Sequence, residues 1–188
     1  MKNKITTIEI EARLAGHFNY RQNLIVPNIS WGMDIHECDL LIVTKSGYAT
    51  EVEIKISRAD LKKDAFKKHN HEDRFNRIRR LYFAIPESLS NCIEFIPERA
   101  GIIVLSRGKN YGEDYLFCKV LREAKINTTC KQFTEAERFN VARLGAMRIW
   151  GLKRKIITMR KNPIPTLPLG KGKEEEEREM DKKFNIQP

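Results

Sequence analysis

The chain has 188 residues, 41% of them hydrophobic, and a formal charge of +10. That suffices for one domain of ordinary size with a real core, plus an appendage. No run is long enough to span a membrane, and Met1-Lys2-Asn3-Lys4-Ile5-Thr6 lacks the apolar stretch of a signal peptide, so a cytoplasmic protein without a membrane partner is expected.

The position of the charge matters more than its total. Residues 161–188 carry six Lys/Arg and six acids, so the whole excess sits on residues 1–160. A body this basic suits a polyanionic partner, most simply nucleic acid, and equally a basic protein whose charge only keeps it in solution. Cys38, Cys92, Cys118 and Cys130 contain no C-x-x-C pair, which argues for reduced thiols and against a zinc site.

In chain order, the first predicted element is a helix from about Thr7 to Asn19. Thr6-Thr7-Ile8-Glu9 has the form of a capping box, with Glu9 as cap partner. Ile8, Glu11, Ala12, Ala15 and Phe18 share one side at helical spacing, which makes Glu11 the acid on that apolar face. Tyr20 to Ile35, with Pro27, Trp31 and Gly32, reads as irregular. Glu37 to Ser57 then forms two β-rich runs around Lys45-Ser46-Gly47, a three-residue hairpin loop with Gly47 in the left-handed position. Counting outward from Thr44 opposite Tyr48, Asp39 faces Glu53 and Glu37 faces Lys55. The reverse face carries Cys38, Leu40 and Ile42 against Ile54, Val52 and Thr50.

Ser57 to Arg80 reads as a charged helix broken near His69-Asn70-His71. Leu81–Ile85 and Gly101–Leu105 read as short strands, with a short helix and loops between them. A further strand is expected at Tyr115–Arg122. A last helix starts at the capping box Thr134-Glu135-Ala136-Glu137 and runs to about Met159, where Pro163, Pro165 and Pro168 end it. The low-complexity charged remainder is expected to be disordered.

The hairpin carries the chemistry. Opposed residues of an antiparallel pair have Cβ atoms about 4.5–5.5 Å apart, so Asp39 and Glu53 can both reach one ion. Mg²⁺ takes oxygen ligands and retains waters; bound between two carboxylates it lowers the pKa of a water and polarises a phosphate. Lys55 projects from the Glu53 face, where its ammonium can orient the water or stabilise charge on the phosphate. The main-chain carbonyl of Ile54 is a natural extra ligand. The alternative is a structural salt bridge of Lys55 with Glu53 or Glu37. Two carboxylates this close repel unless a cation sits between them, which weighs towards chemistry.

Asp39-Leu40-Leu41-Ile42-Val43, the hairpin, and Glu53-Ile54-Lys55 resemble the core motif of the PD-(D/E)XK nuclease superfamily. The resemblance covers about residues 5–106. It implies an αβββαβ core in a three-layer α/β/α sandwich with a mixed sheet, Mg²⁺ or Mn²⁺ as cofactor, and hydrolysis of DNA phosphodiesters. Asp39 and Glu53 inherit the role of metal ligands and Lys55 that of catalytic lysine. Cys38 stands where the family name has proline. Many members add a glutamate from the first helix to the metal site; Glu11 is the candidate here, with Glu9 second, and the alternative for Glu11 is a partly buried acid paired with a basic neighbour. On this reading, residues 1–125 are the nuclease-like domain, 126–160 a helical appendage and 161–188 the tail.

Ser57, Lys62, Lys63, Lys67 and Lys68 follow the catalytic strand and are candidates for holding DNA phosphates, against the plainer reading of a solvated helix face. His69 and His71 are spaced wrongly for a helical metal pair. Glu51, opposite Leu41, reads as an acid supporting Glu53. The final helix, with Arg138, Arg143, Arg148, Lys153, Arg154 and Lys155 among apolar residues, reads as a packing helix with a basic outer face, against the alternative of a DNA-holding or partner-binding appendage. The function expected is a nuclease of DNA repair, recombination, restriction or phage DNA processing, with DNA as partner and room for a protein partner or a homodimer. The alternatives are a non-catalytic DNA-binding module on the same fold and a structural or assembly protein.

Overall fold

The computed structural model describes residues 4–29, 37–66 and 76–161, without the side chains of 64–66. Readings that fall on Trp31, Gly32, Lys67, Lys68, His69, His71 and residues 162–188 lie outside the described residues.

Helix α1 (Thr7–His17) begins at the expected box: Thr6 accepts from the Glu9 N–H at 3.3 Å, and the Glu9 carboxylate accepts from the Thr6 N–H at 2.8 Å. Its buried face differs from the expected one. Ile10 and Leu14 are fully buried, whereas Ile8 is 76% exposed and Ala12 is exposed. The stripe of Ile10, Leu14 and Phe18 wins because its side chains are larger, and burying an Ile or Leu is worth about 1.5–3 kcal/mol where an alanine offers little.

Strand β1 (Leu24–Ile29) lies in the stretch read as irregular. Pro27 suggested a break, but β1 is the outer strand of the sheet, where a missing N–H is tolerated. Strands β2 (Cys38–Val43) and β3 (Ala49–Ile54) form the expected hairpin, with Leu40↔Val52, Leu41↔Glu51, Ile42↔Thr50 and Val43↔Ala49 as partners. Gly47 takes φ +84°, and its carbonyl accepts from the Phe133 N–H at 2.8 Å, so the turn is seated on the chain that leads into the last helix.

Helix α2 (Arg58–Phe66) follows β3. Ile78–Arg80, expected as the end of a helix, instead opens strand β4 (Ile78–Pro86), where Ile78 pairs with Ala49 and is buried. A 3₁₀ segment (Glu87–Phe95) leads to strand β5 (Gly101–Asn110), which turns into strand β6 (Glu113–Arg122). The six strands lie in chain order; β3–β4 and β4–β5 are parallel and the other pairs antiparallel.

Helix α1 covers one face of this mixed sheet through Ile10 and Leu14, packed on Leu40, Ile42, Val52, Ile54, Ala84, Ile103 and Leu105. The other face has two clusters. Phe133 and Val141 cover Val26, Leu41, Val43 and Ala49, while Leu61, Leu89, Cys92 and Ile96 cover Leu81, Phe83, Ile85 and Ile102. The fold is therefore the three-layer α/β/α sandwich. No helix among the described residues is long and apolar enough to cross a membrane.

Helix α3 (Glu135–Lys161) starts at the second expected box, with the Thr134 N–H donating to the Glu137 carboxylate at 2.7 Å. The chain divides into two compact units, Met1–Arg148 and Ile149–Pro188. Residues 126–148, assigned from sequence to an appendage, thus group with the sheet. Within the first unit, Val141 of this helix is buried in the cluster of Phe133 and Val26, as the packing account expects.

Two stability predictions follow from these contacts. A Cβ on Gly47 would stand 2.6 Å from the Phe133 carbonyl oxygen, whereas one on Gly112, also left-handed at φ +87°, meets nothing within 4 Å. Gly112→Ala should cost about 1 kcal/mol and Gly47→Ala about 2–4 kcal/mol, read from urea denaturation. The Glu137 carboxyl is held down at about 2, chiefly by the Arg77 guanidinium at 2.6 Å and also by Thr134, against the opposing effect of burial. A depressed carboxyl stabilises the fold above its ordinary value of 4.5, and that share is lost as pH falls towards 2. Glu137→Gln should flatten the acid limb of the stability profile.

Candidate active site

Strand β3 carries a polar break on the otherwise apolar face covered by α2 and the start of α3. Its positions there are Ala49, Glu51, Glu53 and then Lys55, and the two acids lie between the two apolar clusters of that face. Glu51 is 4% exposed and Glu53 8%. Continuing the hairpin register past Leu40↔Val52 puts Asp39 opposite Glu53.

The tripeptide Glu53-Ile54-Lys55 is pinned on both sides. The Ile54 N–H donates to Asp39 Oδ2 at 2.7 Å, and the Lys55 N–H donates to the Ala84 carbonyl at 3.0 Å. Lys55 Nζ donates to Glu53 Oε2 at 2.6 Å, with both side chains largely buried. Asp39 is thus bonded to the main chain between Glu53 and Lys55, whose side chains pair with each other. The Ile54 side chain is buried against α1, which leaves its main chain between the two charged residues.

Cys38 departs from expectation. It packs with Ile29, Leu41 and Val43 instead of with Leu40 and Ile42. Strand alternation is disturbed here: its partner Ile29 follows Asn28, which takes a left-handed φ of +55°. The thiol is pushed far above its ordinary range, first by burial and then by the charges of Glu51, Glu53 and Asp39, so three carboxylates act on this one buried atom.

Glu11 is half-buried on α1. Its Oε1 accepts from Asn28 Nδ2 at 3.4 Å; burial raises its carboxyl, the Asn28 hydrogen bond opposes that, and the Asp39 charge adds to it. It stands within electrostatic reach of Asp39, but among the described residues no three His, Cys, Asp or Glu side chains come together closely enough to hold a metal. Glu9 is committed elsewhere. The Thr6 main chain and Arg107 hold its carboxyl at about 2, and Arg107 lies 2.7 Å away. Asn28 was not singled out from sequence, although an asparagine after proline is a residue type that tolerates this backbone.

Of the candidate phosphate contacts, Ser57 Oγ accepts from the Asp60 N–H at 3.2 Å and caps α2. Lys62 sits over the Phe95 ring at 5.5 Å, and Lys63 is exposed. A cavity of about 580 Å³ opens beside the end of β3 at Lys4, Ile56, Pro86, Ser88 and Arg107, and neither Asp39, Glu53 nor Lys55 lines it.

No protein-family model and no curated protein matches the chain. A solved structure of a protein of unknown function from Silicibacter pomeroyi is similar, with 16% identity over 84% of this chain and 92% of that one and a TM-score of 0.46. At that level it brings nothing to the reading of the site.

The Asp39–Ile54 bond gives a prediction independent of any activity. Asp39→Ala strands the Ile54 N–H and should cost about 1–3 kcal/mol, while Asp39→Asn keeps an acceptor and should cost clearly less. Equal losses in the two variants would show that the bond carries no weight.

Proposed function

We propose that this chain is a Mg²⁺- or Mn²⁺-dependent deoxyribonuclease of the PD-(D/E)XK superfamily, with Asp39, Glu53 and Lys55 as its catalytic set. One observation supports the reading: Asp39 of β2 accepts from the Ile54 N–H at 2.7 Å, between Glu53 and Lys55, whose side chains pair at 2.6 Å. The donor chemistry fits a hard cation, because Asp39, Glu53 and the Ile54 carbonyl offer only oxygen, and two carboxylates leave room for waters and phosphate oxygens. When bound, such an ion supplies a water of lowered pKa and polarises the phosphate. Asp39 and Glu53 would hold it, and Lys55 would place a positive charge beside the phosphate as negative charge develops there. Glu11 stands beside Asp39 as a supporting acid, outside the set of ligands. The basic body supplies long-range attraction for DNA, and Lys63 is available to a phosphate near the mouth of the site.

The close Lys55–Glu53 pair favours a second reading. A lysine already neutralising its glutamate is also what a DNA-binding module with no reaction to perform would keep.

Labelled single-stranded, duplex and branched DNA separate the two, with Mg²⁺, Mn²⁺ or EDTA. The nuclease reading expects metal-dependent cleavage, reduced ~100-fold or more in Asp39→Asn and in Lys55→Met. Salt-sensitive binding without cleavage in either metal supports the module instead.

A further inference from the structure

Strand β6 is the outer strand opposite β1, and its two faces have different fates. Leu116, Cys118 and Val120 pack against the cluster under α1. The alternate residues Tyr115, Phe117, Lys119 and Leu121 are exposed, at 40% for Phe117 and 50% for Leu121. An apolar row on an outer strand costs solubility and invites association, so it calls for a partner.

The row is built, not loose. Phe117 lies against Gly108 of β5, where a Cβ would come within 2.7 Å of the ring. Tyr115 stands edge-on to it with centroids 5.0 Å apart. Arg13 of α1 reaches the same strand: its Nε donates to the Leu116 carbonyl at 2.8 Å and its guanidinium lies 5.3 Å from the Tyr115 ring centre. Two held aromatic rings thus have a fixed cation beside one ring and the Lys119 ammonium two residues beyond the other.

The register relates this row to the candidate active site. Ile54 pairs with Ala84, which sets Lys55 level with Ile85; Ile85 pairs with Val104, and Val104 with Lys119. Paired residues share a face, so Lys119 and Phe117 lie on the Lys55 side of the sheet, three strand spacings or about 14 Å away.

We propose that Tyr115, Phe117 and Lys119 form a stacking platform for a single-stranded stretch of nucleic acid. Aromatic rings flanked by cations match exposed bases joined by phosphates. The bases of a duplex are stacked inside the helix and present no free face to the rings, so the platform selects single strands or the unpaired arm of a branched substrate.

Its test does not need cleavage. Fluorescence anisotropy of the full chain in EDTA measures binding to oligothymidylate and to a hairpin duplex. Phe117→Ala should weaken single-strand binding about 5- to 100-fold, leave duplex binding unchanged, and be rescued by Phe117→Trp. Unchanged single-strand affinity in a Phe117→Ala variant that melts like the parent overturns the platform, as does an equal loss for duplex. Should Phe117→Ala fail to fold, Leu121→Trp decides: quenching of the added indole by saturating oligothymidylate supports the proposal, and its absence overturns it. Single-strand binding of this kind without cleavage in Mg²⁺ or Mn²⁺ leaves the platform standing and removes the nuclease.

Discussion

The antiparallel pairing of β2 with β3 constrains everything at the candidate site. A slip of one residue would send every side chain of one strand to the opposite face, so the turn at Lys45-Ser46-Gly47 decides which residues meet at the far end. That turn is held twice. Gly47 adopts a backbone that most residues resist, and its carbonyl is tied to Phe133 at the entrance to α3. At the other end Asp39 reaches across to the Ile54 N–H, so the carboxylate is both a candidate ligand and part of what keeps the strands in step.

The same strand carries two of the buried charged side chains among the described residues. Glu51 and Glu53 are almost wholly buried, and together with Asp39 they act on the Cys38 thiol. Burying carboxylates in one another's neighbourhood is unfavourable unless positive charge compensates. Lys55 supplies one such charge, at 2.6 Å from Glu53. A fold selected only for stability has little use for this arrangement, because apolar residues of similar volume often serve as well or better than buried ion pairs. The acids interrupt an apolar face between the cover supplied by α2 and that supplied by the first turns of α3.

Much of this was legible in the residues. Both capping boxes, the hairpin with its left-handed glycine, and the placing of Glu53 and Lys55 on one side of β3 follow from local rules with short reach. What escaped depended on tertiary context. Pro27 marks a break only if its strand is interior, and the position of β1 at the edge of the sheet is not written in its own sequence. Ile78–Arg80 joins a strand because Ala49 offers a partner. The buried face of α1 was misjudged because two apolar stripes compete on that helix, and the sheet selects the larger side chains. Glu11 and Glu9 differ through partners distant in sequence, Asn28 for one and Arg107 for the other. The exposed row of β6 could be suspected from alternation, but which face α1 would cover could not.

The central claim is that Asp39 and Glu53 share a cation beside Lys55, and anomalous scattering from crystals soaked in Mn²⁺ tests it most directly. The account predicts a single strong peak at about 2.0–2.3 Å from a carboxylate oxygen of each acid, absent from crystals of Asp39→Asn. A map without a peak there, or with the metal held by other side chains while Lys55 stays on Glu53, would contradict it.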